Sequence, residues 1–213
     1  MLPRLPAVPR LSRQTARQAA HRRGFAGSPP RRQPVAPALR HWLAAPGSLT
    51  ARLRLLGEVT VEVLSQGRQT LWPQERAALG CRQGHVREVV LRINGRPAVW
   101  ARSSTPLTAV KGPWRAIKGL GTRPLAELLF EHGQVRREPL IAQRLAQQGP
   151  QRRHLARQWA CIAWDGEWLA DKAAEDDAPG WSRRSVFRYR GHPLQVLECF
   201  APWVTPLPAG SRR

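Results

Sequence analysis

Residues 85–105 read HVREVVLRINGRPAVWARSST, and this stretch decides the fold. Asn94-Gly95 stands between two runs rich in β-branched residues, the strongest short-range signal for a tight β-hairpin. Side chains of a strand point to alternate faces of its sheet. Arg87, Val89, Leu91 and Ile93 therefore share one face, and Val86, Glu88, Val90 and Arg92 share the other. The first set is the more apolar, so Arg87 is expected to point toward the core.

Upstream, residues 57–66 alternate, with Val59, Val61 and Val63 on one side and Glu58, Thr60 and Glu62 on the other, the pattern of a half-buried strand. Order is expected to begin near His41-Trp42-Leu43. Ser48 is placed to cap a short helix over residues 49–53, and Pro73 to Leu79 reads as a helical turn ended by Gly80. Downstream, Pro113 through Phe130 reads as one or two helices broken at Gly119-Leu120-Gly121 and restarted at Pro124. A strand is expected at 134–142. Leu155, Trp159 and Ile162 have helical spacing, which predicts an amphipathic helix packed on the main body. The last unit is a hairpin of strands 182–190 and 193–200. About six strands joined mostly by hairpins, with helices clustered between them, argue for a single α+β domain over 41–203. Its sheet would be antiparallel, with the clustered helices covering it.

The net charge of +21 is the compositional outlier. Residues 1–40 hold nine arginines, seven prolines and no acidic residue, and are expected to be a disordered basic extension. The segment superficially resembles a mitochondrial presequence, but a basic tail or a start codon placed too far upstream is the favoured reading. The remainder still carries a net charge of +12, which suits anionic ligands. It lacks zinc-finger spacing, an RNA-binding aromatic signature and a helix-turn-helix pattern, so no specific nucleic-acid partner is expected. Cys81, Cys161 and Cys199 form neither a disulfide framework nor a metal site, and fit a reducing cytoplasm. No apolar run approaches membrane-spanning length, so no stable membrane association is expected. Pro202 to Arg213, chiefly 204–213, reads as a loose tail.

Glu198 repeats the anomaly of Arg87 with opposite sign, sharing its strand face with Leu194, Val196 and Phe200. A charge removed from water is costly unless it is paired. The two charges therefore suggest either a mutual buried pair or a ligand pocket lined by both.

Arg87-Glu88-Val89-Val90-Leu91, the Asn94-Gly95 hairpin and Gly119-Leu120-Gly121-Thr122-Arg123-Pro124-Leu125 occur here in sequence. Trp181-Ser182-Arg183-Arg184-Ser185 and Glu198-Cys199-Phe200-Ala201-Pro202 follow. Their order and spacing resemble bacterial chorismate–pyruvate lyase, over roughly residues 42–142 and 181–203. The resemblance implies helices covering an enclosed ligand site, and a lyase acting without metal or cofactor. It would eliminate pyruvate from chorismate to give 4-hydroxybenzoate, the first committed step toward ubiquinone. It also implies that Arg87 meets the ring carboxylate beside the backbone amide of Leu125. Glu198 would meet the phenol oxygen, as general base or as an orienting acceptor, and Leu49 would supply an apolar contact. The chief departure is 143–180, where that family usually has a short connection. A monomer is expected. The competing reading is a non-catalytic effector-binding module of the same fold that takes small carboxylates. Such modules resemble the sensing domains of regulators with an N-terminal winged helix-turn-helix, which the proline-broken residues 1–40 cannot form. Arg183-Arg184 could bind the enolpyruvyl carboxylate or flank the entrance, but a solvated strand edge is the favoured reading, and His85 reads as a surface or turn residue.

Overall fold

Seven strands form one antiparallel sheet in the computed structural model, which describes residues 37–131, 133–146, 148–164 and 179–207. The expectations for residues 1–36, and for the tail beyond 207, lie outside the described residues. Helices α1 (Pro37–Ala44) and α2 (Leu49–Leu53) precede strand β1 (Val59–Thr70), helix α3 (Pro73–Leu79) and the hairpin β2 (Gln83–Ile93) and β3 (Arg96–Pro106). Short 3₁₀ turns at Ala109–Lys111 and Arg115–Gly119 lead to α4 (Leu125–Glu131), then to β4 (Arg136–Arg137) and β5 (Ile141–Arg144). Helix α5 (Pro150–Trp164) and the hairpin β6 (Trp181–Tyr189) and β7 (His192–Phe200) complete the fold. The strand order is β1-β2-β3-β7-β6-β4, with β5 also pairing β6.

The central hairpin forms as its turn chemistry demands. Asn94 and Gly95 both take positive φ, +49° and +79°, as a two-residue hairpin turn of the mirror-image type requires. Ser48 caps α2 by accepting the amide of Ala51 at 3.1 Å, and Gly80 closes α3 in the left-handed conformation. Order begins earlier than expected. Pro37 to Arg40 form the first turn of α1, whose Leu39, Trp42 and Leu43 are buried. Proline is well suited to a first helical position, where its missing N–H costs nothing. The strand expected at 134–142 is two short strands laid along β6, separated by a break at 138–140.

Both faces of the sheet are covered. On one face, α1, α2, α4 and the 3₁₀ turns pack over Val89, Leu91, Leu194, Val196 and Phe200; Trp114 and Ile117 anchor the turns against β7. On the other face, α5 buries Leu155, Trp159 and Ile162, the three residues whose spacing predicted it. Glu88 is consequently buried too. Arg102 on β3 grips Glu75 through two hydrogen bonds of 2.7 and 3.1 Å and Glu88 through one of 2.5 Å, under the ring of Trp72. His154 of α5 brings Nε2 to 3.0 Å from the Glu88 carboxylate. Burial pushes the Glu88 carboxyl up, but His154 and Arg102 outweigh it and hold it below the usual carboxylate range.

Candidate active site

Register decides which side chains meet. In the β2–β3–β7–β6 ladder, Val89, Ala101, Glu198 and Arg183 form one cross-strand row. Arg87, Ser103, Val196 and Ser185 form the next row on the same face. Arg87 and Glu198 thus lie two strands and one row apart. At a strand spacing of ~4.8 Å and a rise of ~3.4 Å per residue, their Cα atoms stand roughly 12 Å apart. Both side chains line the same cavity from separate places on this face.

Arg87, Val89, Ala101, Ser103, Val196 and Glu198 of these rows floor a partly open cavity. Its volume is about 60 Å³, counted as space open to the centre of a water molecule, several times what one water needs. Leu49 and Thr50 of α2 and Leu125, Leu129 and Phe130 around α4 roof it, while Val61, Val89, Leu91 and Phe187 supply apolar wall. Arg54 and Glu127 join the two roofing segments in an exposed ion pair at 3.6 Å. Such a pair contributes only ~0–1 kcal/mol, so apolar packing holds the roof.

Arg87 is 2% exposed, and no carboxylate of the described residues pairs with it. Its Nη2 donates to the carbonyls of Gly121 and Arg123 at 2.9 and 3.1 Å, which ties the 119–124 loop to the sheet. Gly121 turns that loop with φ of +53°. The Nε of Arg87 is buried with no acceptor. Burial lowers its proton affinity from the ordinary arginine value.

Glu198 is not the partner of Arg87. Its Oε2 accepts from Nε of Arg183 at 2.5 Å, and among the described residues no hydrogen bond engages Oε1. Arg183 is wholly buried, its Nη1 donating to the carbonyls of Trp42 and Ala45 at the end of α1. The expectation of a solvated strand edge fails at Arg183, because α1 covers that end of β6. His85, expected at the surface, is likewise buried. Leu125 opens α4, so its N–H has no intrahelical acceptor. All four residues singled out from the sequence, Leu49, Arg87, Leu125 and Glu198, line this one cavity.

Arg137 escaped the sequence reading. It reaches the cavity from the two-residue strand β4, too short to show alternation. Its Nε donates to Ser185 Oγ at 3.2 Å and its Nη1 to the Gly47 carbonyl at 3.1 Å, and its guanidinium lies 5.2 Å from the centre of the Phe187 ring. Burial lowers its proton affinity, and nearby Glu198 acts in the opposite sense.

A largely apolar cavity lined by guanidinium groups without carboxylate partners among the described residues and by one carboxylate has the chemistry to take a small organic acid. The chorismate lyase family matches residues 28–205. A probable chorismate pyruvate-lyase of Albidiferax ferrireducens is 42% identical over 172 residues, covering 77% of this chain and 83% of that protein. One of Bordetella avium is 37% identical over 192 residues, covering 84% and 89%. The effector domain of PhnF from Mycobacterium smegmatis superposes with a TM-score of 0.48 at 12% identity, over 73% of this chain and 89% of that one, too loose a likeness to carry an argument. The chain belongs to the chorismate lyase family and is a lyase.

Proposed function

We propose that this enzyme converts chorismate into 4-hydroxybenzoate and pyruvate, the first committed step toward ubiquinone. The observation that carries this reading is Arg87, a buried guanidinium without a carboxylate partner among the described residues, lining one cavity with Glu198. An uncompensated buried charge calls for a ligand of opposite sign. A ring carboxylate suits the Arg87 fork and the Leu125 amide, and a para hydroxyl can donate to the Glu198 oxygen that no described residue occupies.

The chemistry demands little apparatus. The C4–H electron pair becomes a ring π bond as the proton departs, and the C3–O bond breaks with its pair leaving on the enolpyruvate oxygen. Protonation of the enolpyruvate methylene then gives pyruvate, and aromaticity drives the reaction. In this reading the protein orients the substrate, excludes water and holds the C4 hydroxyl. The C4 proton passes either to Glu198 or directly to the enolpyruvyl methylene.

The test is to incubate purified protein with chorismate, following 4-hydroxybenzoate by absorbance and pyruvate by a coupled assay. Equimolar appearance of both is expected. Arg87→Ala should weaken 4-hydroxybenzoate binding by ~2–5 kcal/mol, with partial recovery in Arg87→Lys. Absence of turnover by the wild-type chain, or unchanged product affinity in a folded Arg87→Ala variant, overturns the reading.

A further inference from the structure

The charges around the cavity do not balance. Arg87, Arg137 and Arg183 bring three positive groups and Glu198 a single negative one. Arg183 and Glu198 satisfy each other at 2.5 Å. Two guanidinium groups remain, at different places on the wall, and neither has a carboxylate partner among the described residues. Arg87 is held away from water, where an uncompensated charge is costly, and the half-buried Arg137 adds a second positive group at the wall, so a ligand with two separated negative groups completes the cavity electrostatically.

Arg137 is built to present its charge. Ser185 Oγ and the Gly47 carbonyl fix Nε and Nη1, and the Phe187 ring backs the guanidinium plane. No described hydrogen bond uses Nη2. The position is off the axis of the other two groups. Arg87 stands on β2 and Glu198 on β7, whereas the Arg137 guanidinium is held by Ser185 on β6, beyond Glu198. A substituent next to the hydroxyl-bearing carbon of a ring bound between Arg87 and Glu198 projects sideways from that axis.

We propose that Arg137 binds the second carboxylate of a dianionic substrate, the carboxylate of the side chain that is eliminated. This rests on the function proposed above, and it assigns the two arginines different duties. Arg87 holds the carboxylate that stays with the ring, while Arg137 holds the one that departs with pyruvate. After elimination the departing acid is no longer tethered to the ring, so the two products occupy their subsites independently.

Separate measurements on substrate and product test this. In Arg137→Gln the KM for chorismate should rise at least ~30-fold, while inhibition by 4-hydroxybenzoate should change less than about threefold. Arg137→Lys should recover part of the lost KM, since a point charge replaces a fork. Arg87→Ala serves as the contrast, because it should weaken both. A merely structural role in pinning Gly47 to β6 would instead move substrate and product together, along with the melting temperature. A binding arm needs no turnover: calorimetry with 3-(carboxymethoxy)benzoate, an unreactive dianion, against benzoate. Wild-type protein should prefer the dianion, and Arg137→Gln should lose that preference. If Arg137→Gln does not fold, the same ratio is read in Arg137→Lys, where an intermediate preference is expected. The proposal is overturned if KM and product inhibition shift in parallel, if neither shifts, or if wild-type protein does not prefer the dianion. Failure of chorismate turnover with a retained dianion preference would instead sink the proposed reaction alone.

Discussion

Replacing Arg183 by methionine should be among the most damaging single changes in this protein. The side chain is wholly buried, pairs with Glu198 at 2.5 Å and donates to the Trp42 and Ala45 carbonyls. Methionine fills similar volume but leaves a carboxylate whose side chain is only 14% exposed and two carbonyls without their donor. Stripping one partner from a buried pair costs ~3–5 kcal/mol, and each lost backbone contact adds about 1 kcal/mol. The residual exposure of Glu198 favours the lower half of that range, so with the two backbone contacts a total of about 5–6 kcal/mol is expected. That is a large fraction of the ~5–15 kcal/mol that holds a domain of this size together. Urea unfolding followed by tryptophan fluorescence reads the loss, which at ~2 kcal/mol/M lowers the midpoint by about 2.5–3 M. The decisive comparison adds Glu198→Leu. If the cost is mainly an orphaned charge, the double variant should be more stable than Arg183→Met alone, with a coupling of about 2–3 kcal/mol. A single-variant loss below about 1 kcal/mol, or additivity within ~0.5 kcal/mol, would refute the assignment of Arg183 as the compensating charge.

Two further outcomes follow from the same geometry. Glu198→Gln keeps one hydrogen-bonding oxygen in place, so single-turnover chemistry under saturating chorismate should slow only about tenfold if Glu198 merely orients the hydroxyl. A fall of ~10²–10⁴-fold in a natively folded variant would make it the base, and wild-type rates would remove it from the chemistry. The depressed Glu88 carboxyl adds stability that is fully present above its ordinary value of 4.5 and is lost as pH falls through its lower folded value. The melting temperature should therefore hold from neutral pH to about 5 and drop on further acidification. Glu88→Gln should melt lower at neutral pH but with a shallower acid slope; an acid slope equal to that of the wild type would show that Glu88 contributes nothing to it.

What could be read from the chain alone was whatever is local. Asn94-Gly95 needs only its own backbone to declare a turn, and Ser48 and Gly80 announce caps by residue type. Arg87 and Glu198 were legible because each interrupts an apolar alternation, a two-residue period that survives without tertiary knowledge. Arg137 was not, since β4 is too short to carry a period and its side chain reaches the cavity only through the position of β6. Arg183 was misread because its burial depends on α1, more than 135 residues earlier in the chain. The Arg102–Glu75–Glu88 cluster needs α3 and α5 folded over the second face before any of its members leaves water. Near the N-terminus, composition averaged over forty residues places Pro37 in a proline-rich extension and hides that it occupies a first helical position.

The two charged clusters, back to back on shared strands, also police the alignment of the sheet. Arg87 and Glu88 are neighbours in sequence but face opposite sides, as do Ala101 and Arg102. Sliding β2 by a single residue along β3 would turn its side chains over. Glu88 would enter the organic-acid cavity near Glu198, and Arg87 would meet Arg102 with only Glu75 to share. An aliphatic strand displaced in this way merely exchanges one greasy contact for another. Here the slip that pairs Glu88 with Ala101 sets like charge against like charge away from water, so the polarity of the two faces also works against a shifted sheet.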